Sequence, residues 1–169
     1  VLDQSERLVV LRDPSAASAW HPVDATAGRV HVADVAVSPF ALRQQWALPR
    51  VLRRLAVGLY HSPYYLMPVR PGVPSVVTLH DLIPLRYPHL FTTNQRLIYR
   101  VTTHLAVQAA RAVIAVSAAT AQDIKDLLRL PAERIVVIPE AADPAFRPQP
   151  EAVVAALRQR LRLPQPYVL

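Results

Sequence analysis

Short apolar runs rich in β-branched residues alternate along this chain with stretches that have helical periodicity. The run Val76–Leu79 lies between Pro74 and the polar pair His80-Asp81, as expected of a strand buried on both faces. Comparable runs occur at Leu8–Leu11, His31–Val37, Gly58–Pro63, Ala112–Val116 and Ile135–Pro139. Strands that alternate with helices form parallel βαβ units, so the pattern predicts an α/β fold: a Rossmann-like parallel sheet with helices on both faces.

The helices between these runs are predicted from capping residues and apolar spacing. Thr92 and Gln95 have the spacing of a capping box at a helix start. Ser38 and Pro39 predict another start, and Pro49 is expected to break that helix because proline removes a backbone hydrogen bond. The apolar faces expected to be buried are Ile98, Val101, Leu105 and Ala109 after Thr92; Ile124, Leu127 and Leu128 after Ser117; and Val153, Val154, Leu157 and Leu161 near the end.

The composition indicates a folded domain with a basic surface. The 169-residue chain is 52% hydrophobic, contains no cysteine and carries a formal charge of +7, which predicts a real core and excludes disulfides and thiolate metal sites. The basic residues, all arginine except Lys125, are spread out without interleaved aromatics, which favours solvated faces over a nucleic-acid partner. Two clusters on predicted helices leave contact with a membrane surface open: Arg50-Arg53-Arg54 and Arg158-Arg160-Arg162.

The ends of the sequence suggest a fragment of a longer protein. The chain begins at Val1, and Tyr167–Leu169 resembles the start of a further strand. No apolar run is long enough to span a bilayer. We therefore expect a cytoplasmic location, with peripheral contact at the inner face of the membrane as an alternative.

Polar side chains come directly after the predicted strands, and they are the candidate site residues: His61, His80 with Asp81, Ser117 and Glu140. Since the carboxyl ends of parallel strands meet at one edge of a sheet, where ligands bind, we expect these residues to converge there. Structural roles compete with this interpretation. They are ordinary packing for His61, a turn-forming carboxylate for Asp81 and helix capping for Ser117.

Several kinds of site are disfavoured by the same sequence. Three glycines are too few for a dinucleotide or phosphate loop, and the histidines match no metal-ligand spacing, so no metal is expected. Ser117 lies between a strand and a helix like a nucleophile elbow, but alanines replace the glycines that such a turn needs. The adjacent Tyr64 and Tyr65 either line a sugar or acceptor pocket or cover a core edge.

Four segments, in this order, resemble family 4 (group 1) glycosyltransferases. They are Thr78–Pro84 followed by Tyr87-Pro88 ("T-x-H-D-L-I-P…Y-P"), Ala112–Ser117, Leu130–Pro139 ("L-x-x-P-x-x-R-I-x-V-I-P") and Asp143–Pro148 ("D-x-x-F-x-P"). The resemblance covers about residues 58 to 169 well and the first fifty weakly. Ala141 departs from the pattern, since the family often has glycine there.

The resemblance implies the N-terminal, acceptor-side half of a two-domain GT-B enzyme. Residues 1–166 would form that domain, which is expected to lack its first strand. Residues 167–169 would begin a C-terminal donor-binding domain that carries the family's Glu-x7-Glu motif. The implied reaction is retaining transfer of a sugar, of the hexosyltransferase type, from a nucleotide-diphosphate sugar to a glycan, lipid or small molecule. No metal or other cofactor is implied, and the fragment alone is expected to be inactive.

The resemblance also assigns roles to the candidate residues. His80, which matches the family's "H-D" motif, would reach the sugar or the reacting centre, and Asp81 would orient the histidine or close the loop. His61, Ser117 and Glu140 are the candidates for lining the substrate cleft.

Two other functions stay open at this point. An unrelated α/β hydrolase or ligand-binding module would use Ser117, His80 and Asp81, and a catalytic triad would require Ser117 Oγ within hydrogen-bond reach of a histidine nitrogen. A purely structural domain with a decayed site is the other alternative.

Overall fold

A computed structural model describes residues 6–15, 28–143 and 146–164 of the chain. The chain divides into two compact units, Val1–Pro139 and Glu140–Leu169. The predicted domain boundary at residues 166 and 167 falls outside the described residues.

Within its described residues, the first unit contains two parallel sheets. The smaller sheet pairs β1 with β2, and the larger one has the order β3-β4-β5-β6 with every neighbouring pair parallel. The parallel sheets with connecting helices confirm the predicted α/β, Rossmann-like class. The strands are β1 (Leu8–Arg12), β2 (Val30–Asp34), β3 (Tyr60–Ser62), β4 (Ser75–Leu79), β5 (Ala112–Ala115) and β6 (Ile135–Val137).

Helices connect most of these strands. In the first unit they are α1 (Gln44–Arg54), α2 (Ile83–Arg86), α3 (Thr93–Ala109) and α4 (Ala118–Leu128), with short 3-10 turns at Pro88–Leu90 and Ala132–Arg134. The second unit contains α5 (Glu151–Leu161). No helix within the described ranges is both long and apolar enough to cross a membrane.

The core lies between one face of the four-stranded sheet and the helices α3 and α4. Side chains alternate between the two faces of a strand, and Val77 of β4 and Val113 of β5 point into this core without solvent exposure. Val107 of α3 and Ile124 of α4 cover them and are equally buried. Arg134, which belongs to the third of the four resembling segments, donates hydrogen bonds to the carbonyls of Val107 and Ala110 at the end of α3.

The helix α3 begins as predicted but buries the opposite face. Thr92 Oγ1 accepts from the backbone N–H of Gln95 at 3.3 Å, and Gln95 Oε1 accepts from the backbone N–H of Thr92 at 2.9 Å, which confirms the capping box. The predicted inward residues Ile98, Val101 and Leu105 are instead 40% to 64% exposed. The buried residues of α3 are Tyr99, Thr103, Ala106 and Val107.

The physical reason is that apolar spacing fixes a helical period without fixing which of two stripes faces the sheet. The buried stripe includes Tyr99 and Ala106, whereas the exposed stripe includes Ile98 and Leu105. Only the packing partner selects between the two stripes.

Two other helix predictions need correction. The helix α1 starts at Gln44, later than predicted, and runs through Pro49 without a break. Ser38 Oγ accepts from the N–H of Phe40 within a preceding turn. Pro49 lies within α1 and its side chain is buried, so the packing of this side chain offsets the one intrahelical hydrogen bond that proline removes. Ile124 and Leu128 of α4 are buried as predicted, and Leu127 is partly buried. In α5, Val154 is partly buried, but Val153, Leu157 and Leu161 are exposed, because a unit of this length has little chain to cover them.

Candidate functional site

The loop after β4 carries His80 and Asp81 and is fixed by side chains from two helices. Thr120 Oγ1 of α4 donates to the carbonyl oxygen of His80 at 3.0 Å. The Tyr99 hydroxyl of α3 donates to the carbonyl oxygen of Asp81 at 2.8 Å. The His80 ring contributes a third contact, since its Nε2 lies 3.0 Å from the carbonyl oxygen of Pro63. The backbone of this loop is therefore held while both side chains stay exposed.

Asp81 takes the turn-forming role that the sequence left open. Its Oδ1 accepts from the backbone N–H of Ile83 at 3.0 Å, at the start of α2. This bond satisfies one of the N–H groups that a helix start leaves without an intrahelical partner. No described residue donates a hydrogen bond to the other carboxylate oxygen, Oδ2.

Ser117 is a helix cap that reaches the loop only indirectly. Its Oγ accepts from the backbone N–H of Thr120 at 3.0 Å and lies 3.0 Å from Thr120 Oγ1. Thr120 in turn holds the carbonyl of His80. No described histidine nitrogen bonds to Ser117 Oγ, so the triad geometry required by the hydrolase alternative is not formed.

His61 lies in the middle of β3 rather than after its end. Its Nε2 pairs with Thr78 Oγ1 at 2.8 Å on the neighbouring strand β4. His61 is opposite Val76 in the register, and Thr78 lies two residues further along the same face. Although the residue is exposed overall, partial burial of the ring lowers the pKa of His61.

A cleft of about 290 Å³ opens beside the His80–Asp81 loop. Its walls are Tyr64, Tyr65, His80, Asp81, Ile83, Pro84, Phe91 and Tyr99. Aromatic walls with a few convergent polar groups are typical of small-molecule sites. The structure thus brings the predicted pair His80-Asp81 into the cleft, whereas His61 and Ser117 do not line it.

The aromatic lining was only partly visible in the sequence. Tyr64 and Tyr65 stand out in the sequence because they are adjacent aromatic residues in a predicted loop. No local sequence pattern marks Tyr99 or Phe91 as lining a cleft. Tyr99 stands on the helix face that was expected to point outward. Burial raises the pKa of Tyr65 to about 12, with the neighbouring Tyr64 adding to the effect, and burial likewise raises the pKa of Tyr99. Phenols are neutral at physiological pH even at their ordinary pKa of about 10, so both rings present neutral hydroxyls.

The remaining candidate, Glu140, is exposed and belongs to the second compact unit. In the part of the chain that the structure describes, no group of three or more histidine and carboxylate side chains is arranged to hold a metal ion.

These features lie within a segment that matches a known family. The profile for Glycosyltransferase Family 4 matches residues 8–146, which is more than half of the chain. The chain belongs to glycosyltransferase family 4. This assignment confirms the family that the four sequence segments resemble, and the match extends through the first fifty residues, where that resemblance was weak. No curated protein sequence matches the chain.

Solved structures share the fold. The crystal structure of Anabaena Alr3699/HepE in complex with UDP-glucose is 21% identical, with a TM-score of 0.57, and the match covers 92% of this chain and 50% of that one. The structure of the same protein in complex with UDP and glucose is 24% identical, with a TM-score of 0.54, over 80% of this chain and 38% of that one. The chain therefore spans half or less of the length of these structures.

Proposed function

We propose that this chain is the acceptor-side domain of a retaining glycosyltransferase that transfers a sugar from a nucleotide-diphosphate sugar to an acceptor. The observation that carries the proposal is the exposed His80-Asp81 pair, fixed beside an aromatic cleft beyond the carboxyl end of β4. In open α/β sheets this is where ligands bind. The family assignment makes sugar transfer the chemistry that best fits such a cleft.

In this proposal His80 contacts the sugar or its leaving group. Glycosyl transfer develops positive charge on the sugar ring and negative charge on the departing diphosphate. An imidazole held at a fixed position donates or accepts a hydrogen bond that strengthens as these charges appear. Asp81 acts through the loop, because its Oδ1 bond to Ile83 N–H closes the turn that presents His80.

The nucleotide sugar itself is proposed as a substrate from the neighbouring structures. The Anabaena protein was crystallised with UDP and glucose in one structure and with UDP-glucose in the other. A cleft of about 290 Å³ lies at the lower end of ligand-site volumes, which favours one small group over a whole nucleotide sugar. We therefore expect most donor contacts to come from a C-terminal donor-binding domain, and this chain alone to be inactive.

The proposal includes a cytoplasmic location with peripheral membrane contact as the alternative, and an acceptor that is a glycan, lipid or small molecule.

A transfer assay on the full-length protein tests the role of His80. A panel of radiolabelled nucleotide-diphosphate sugars would be screened for transfer or hydrolysis, first with the unchanged protein. We expect His80→Ala to lower kcat by about 10²-fold or more, because one hydrogen bond to developing charge is lost. His89→Ala is the matched control, since His89 is an exposed histidine that does not line the cleft.

Turnover that is equal in His80→Ala and in the unchanged protein would contradict the role of His80. Absence of turnover with every nucleotide sugar in the unchanged full-length protein would contradict the proposed reaction.

A further inference from the structure

Four aromatic rings touch one another in a row that leads from the surface into the cleft. The aromatic row consists of Phe40, Tyr64, Tyr65 and Tyr99. Ring centroids are 6.1 Å apart for Phe40 and Tyr64, 4.3 Å for Tyr64 and Tyr65, and 4.7 Å for Tyr65 and Tyr99. The row starts at Phe40, which is 70% exposed, and ends at Tyr99, which is buried.

The inner part of this row is anchored, and this immobilises Tyr64. Tyr99 is fixed by its hydrogen bond to the Asp81 carbonyl, and Tyr65 packs against the hydrophobic core. Tyr64 leans on Tyr65 while keeping 39% of its surface exposed. An exposed ring that is backed by buried rings loses little conformational freedom when a ligand binds.

Polar groups line the same cleft as the Tyr64 ring. Asp81 has a carboxylate oxygen, Oδ2, to which no described residue donates, and the His80 ring lines the cleft as well. An anionic oxygen is a strong acceptor for hydroxyl hydrogen bonds. The cleft thus has an aromatic ring and a carboxylate among its lining groups.

We propose that Tyr64 and Asp81 form a subsite for one hexose ring of the acceptor, with the C–H face of the sugar stacked on Tyr64 and a sugar hydroxyl donating to Asp81. The electron-rich face of an aromatic ring attracts the partly positive C–H groups of a pyranose. The cleft volume of about 290 Å³ suits one such ring. This proposal rests on the proposed function, because it names the acceptor of that same site as a carbohydrate.

A hydrocarbon occupant, such as a lipid chain, fits the cleft less well. Covering Asp81 with hydrocarbon would remove water from an ionised carboxylate without supplying a donor, which is costly. A sugar supplies hydroxyl donors at that position. The phenol of Tyr65, which supports Tyr64, is neutral at physiological pH, so the supporting ring carries no charge.

Binding of simple glycosides by the full-length protein tests the subsite without any transfer reaction. The probes are methyl β-D-glucopyranoside, methyl β-D-galactopyranoside and methyl α-D-mannopyranoside, each followed by saturation-transfer-difference NMR. We expect at least one of them to bind, with the strongest saturation on the C–H protons of one ring face. Tyr64→Ala should weaken binding by roughly five- to tenfold, as expected for the loss of one aromatic contact.

Two variants and one further probe serve as controls. Tyr64→Phe keeps the ring and should bind within about twofold of the unchanged protein. Tyr87→Ala removes an exposed tyrosine that does not line the cleft and should leave binding unchanged. Cyclohexanol is a ring of similar size with a single hydroxyl, and it should bind more weakly than the best glycoside.

Equal glycoside binding by Tyr64→Ala and the unchanged protein would overturn the proposal, as would tighter binding of cyclohexanol than of every glycoside. The result of this binding experiment can be distinguished from the result of the transfer assay. Loss of glycoside binding in Tyr64→Ala supports the subsite even if no nucleotide sugar turns over. Conversely, the acceptor KM for transfer could be the same in Tyr64→Ala and in the unchanged protein. That result would contradict the subsite but not the proposed reaction.

Discussion

The two parallel sheets of the first unit differ in how deeply their strands are buried. In the four-stranded sheet, Val77 of β4 and Val113 of β5 are completely covered by α3 and α4. In the sheet of β1 and β2, every residue of both strands is at least partly exposed. The first buried apolar side chain on that side is Val35, which follows β2.

This difference explains where the candidate site lies. The loop that presents His80 and Asp81 leaves the buried strand β4, and it is tied to the two helices that cover the core, through Tyr99 and Thr120. Functional groups keep a defined geometry only when the elements beneath them are rigid. A two-stranded sheet with exposed strands is marginally stable by itself and offers less support.

Truncating one apolar residue in each sheet region tests this difference in burial most directly. We expect Ile124→Ala, under the four-stranded sheet, to lower the free energy of unfolding by about 2–5 kcal/mol, because it opens a cavity beside Val113. Val10→Ala in β1 should cost about 1 kcal/mol or less, since Val10 is only partly buried. Urea unfolding followed by circular dichroism measures both. Equal costs would mean that the two sheets are packed alike.

A smaller effect is expected from the hydrogen bond that ties the cleft loop to α3. Tyr99→Phe leaves the ring in place but removes the donor to the Asp81 carbonyl, which should cost about 1–2 kcal/mol of unfolding free energy. Tyr87→Phe is the matched control, because Tyr87 is exposed and should change stability by less than about 0.5 kcal/mol. Indistinguishable stabilities for the two variants would show that the loop does not depend on Tyr99.

Acid should weaken the four-stranded sheet through His61. The folded-state pKa of His61 lies below its ordinary value of 6.5, so the unfolded chain binds the proton more readily. The stability that the neutral ring contributes is therefore present above about pH 6.5 and is lost as the pH falls through the lowered pKa. Thermal unfolding at pH 7.5 and pH 5.5 should show a larger loss for the unchanged protein than for His61→Gln. A loss of the same size in both would contradict the assignment.

The smallest effect is expected in the two-stranded sheet. Arg12 and Asp34 form a partly exposed ion pair at 2.8 Å at the end of the β1–β2 register. Asp34→Asn should lower local stability by about 0.2–1 kcal/mol, and 1 M salt should remove most of the difference. Amide hydrogen exchange of β2 in low and high salt measures this. A salt-independent cost above about 2 kcal/mol would show that β1 and β2 are held more firmly than their exposure indicates.

Much of the fold could be predicted because its signals are local. The capping box of Thr92 and Gln95, the cap formed by Ser117 and the strand that leads to His80 each depend on residues within a few positions of one another. The buried face of α3 and the unbroken α1 could not be predicted, since both depend on what packs against the helix. The same limit applies to the cleft, where Tyr65 and Tyr99 meet from separate segments.

The sequence by itself determined the order of strands and helices, the parallel α/β class and the placement of His80 and Asp81 directly after a buried strand. Those properties follow from local propensity, capping and apolar spacing. Only the tertiary structure decided that Tyr99 turns inward, that Thr120 holds the His80 carbonyl and that Tyr64, Tyr65 and Tyr99 wall the cleft. These contacts join residues far apart in the chain, and their formation depends on how closely α3 and α4 pack on the sheet.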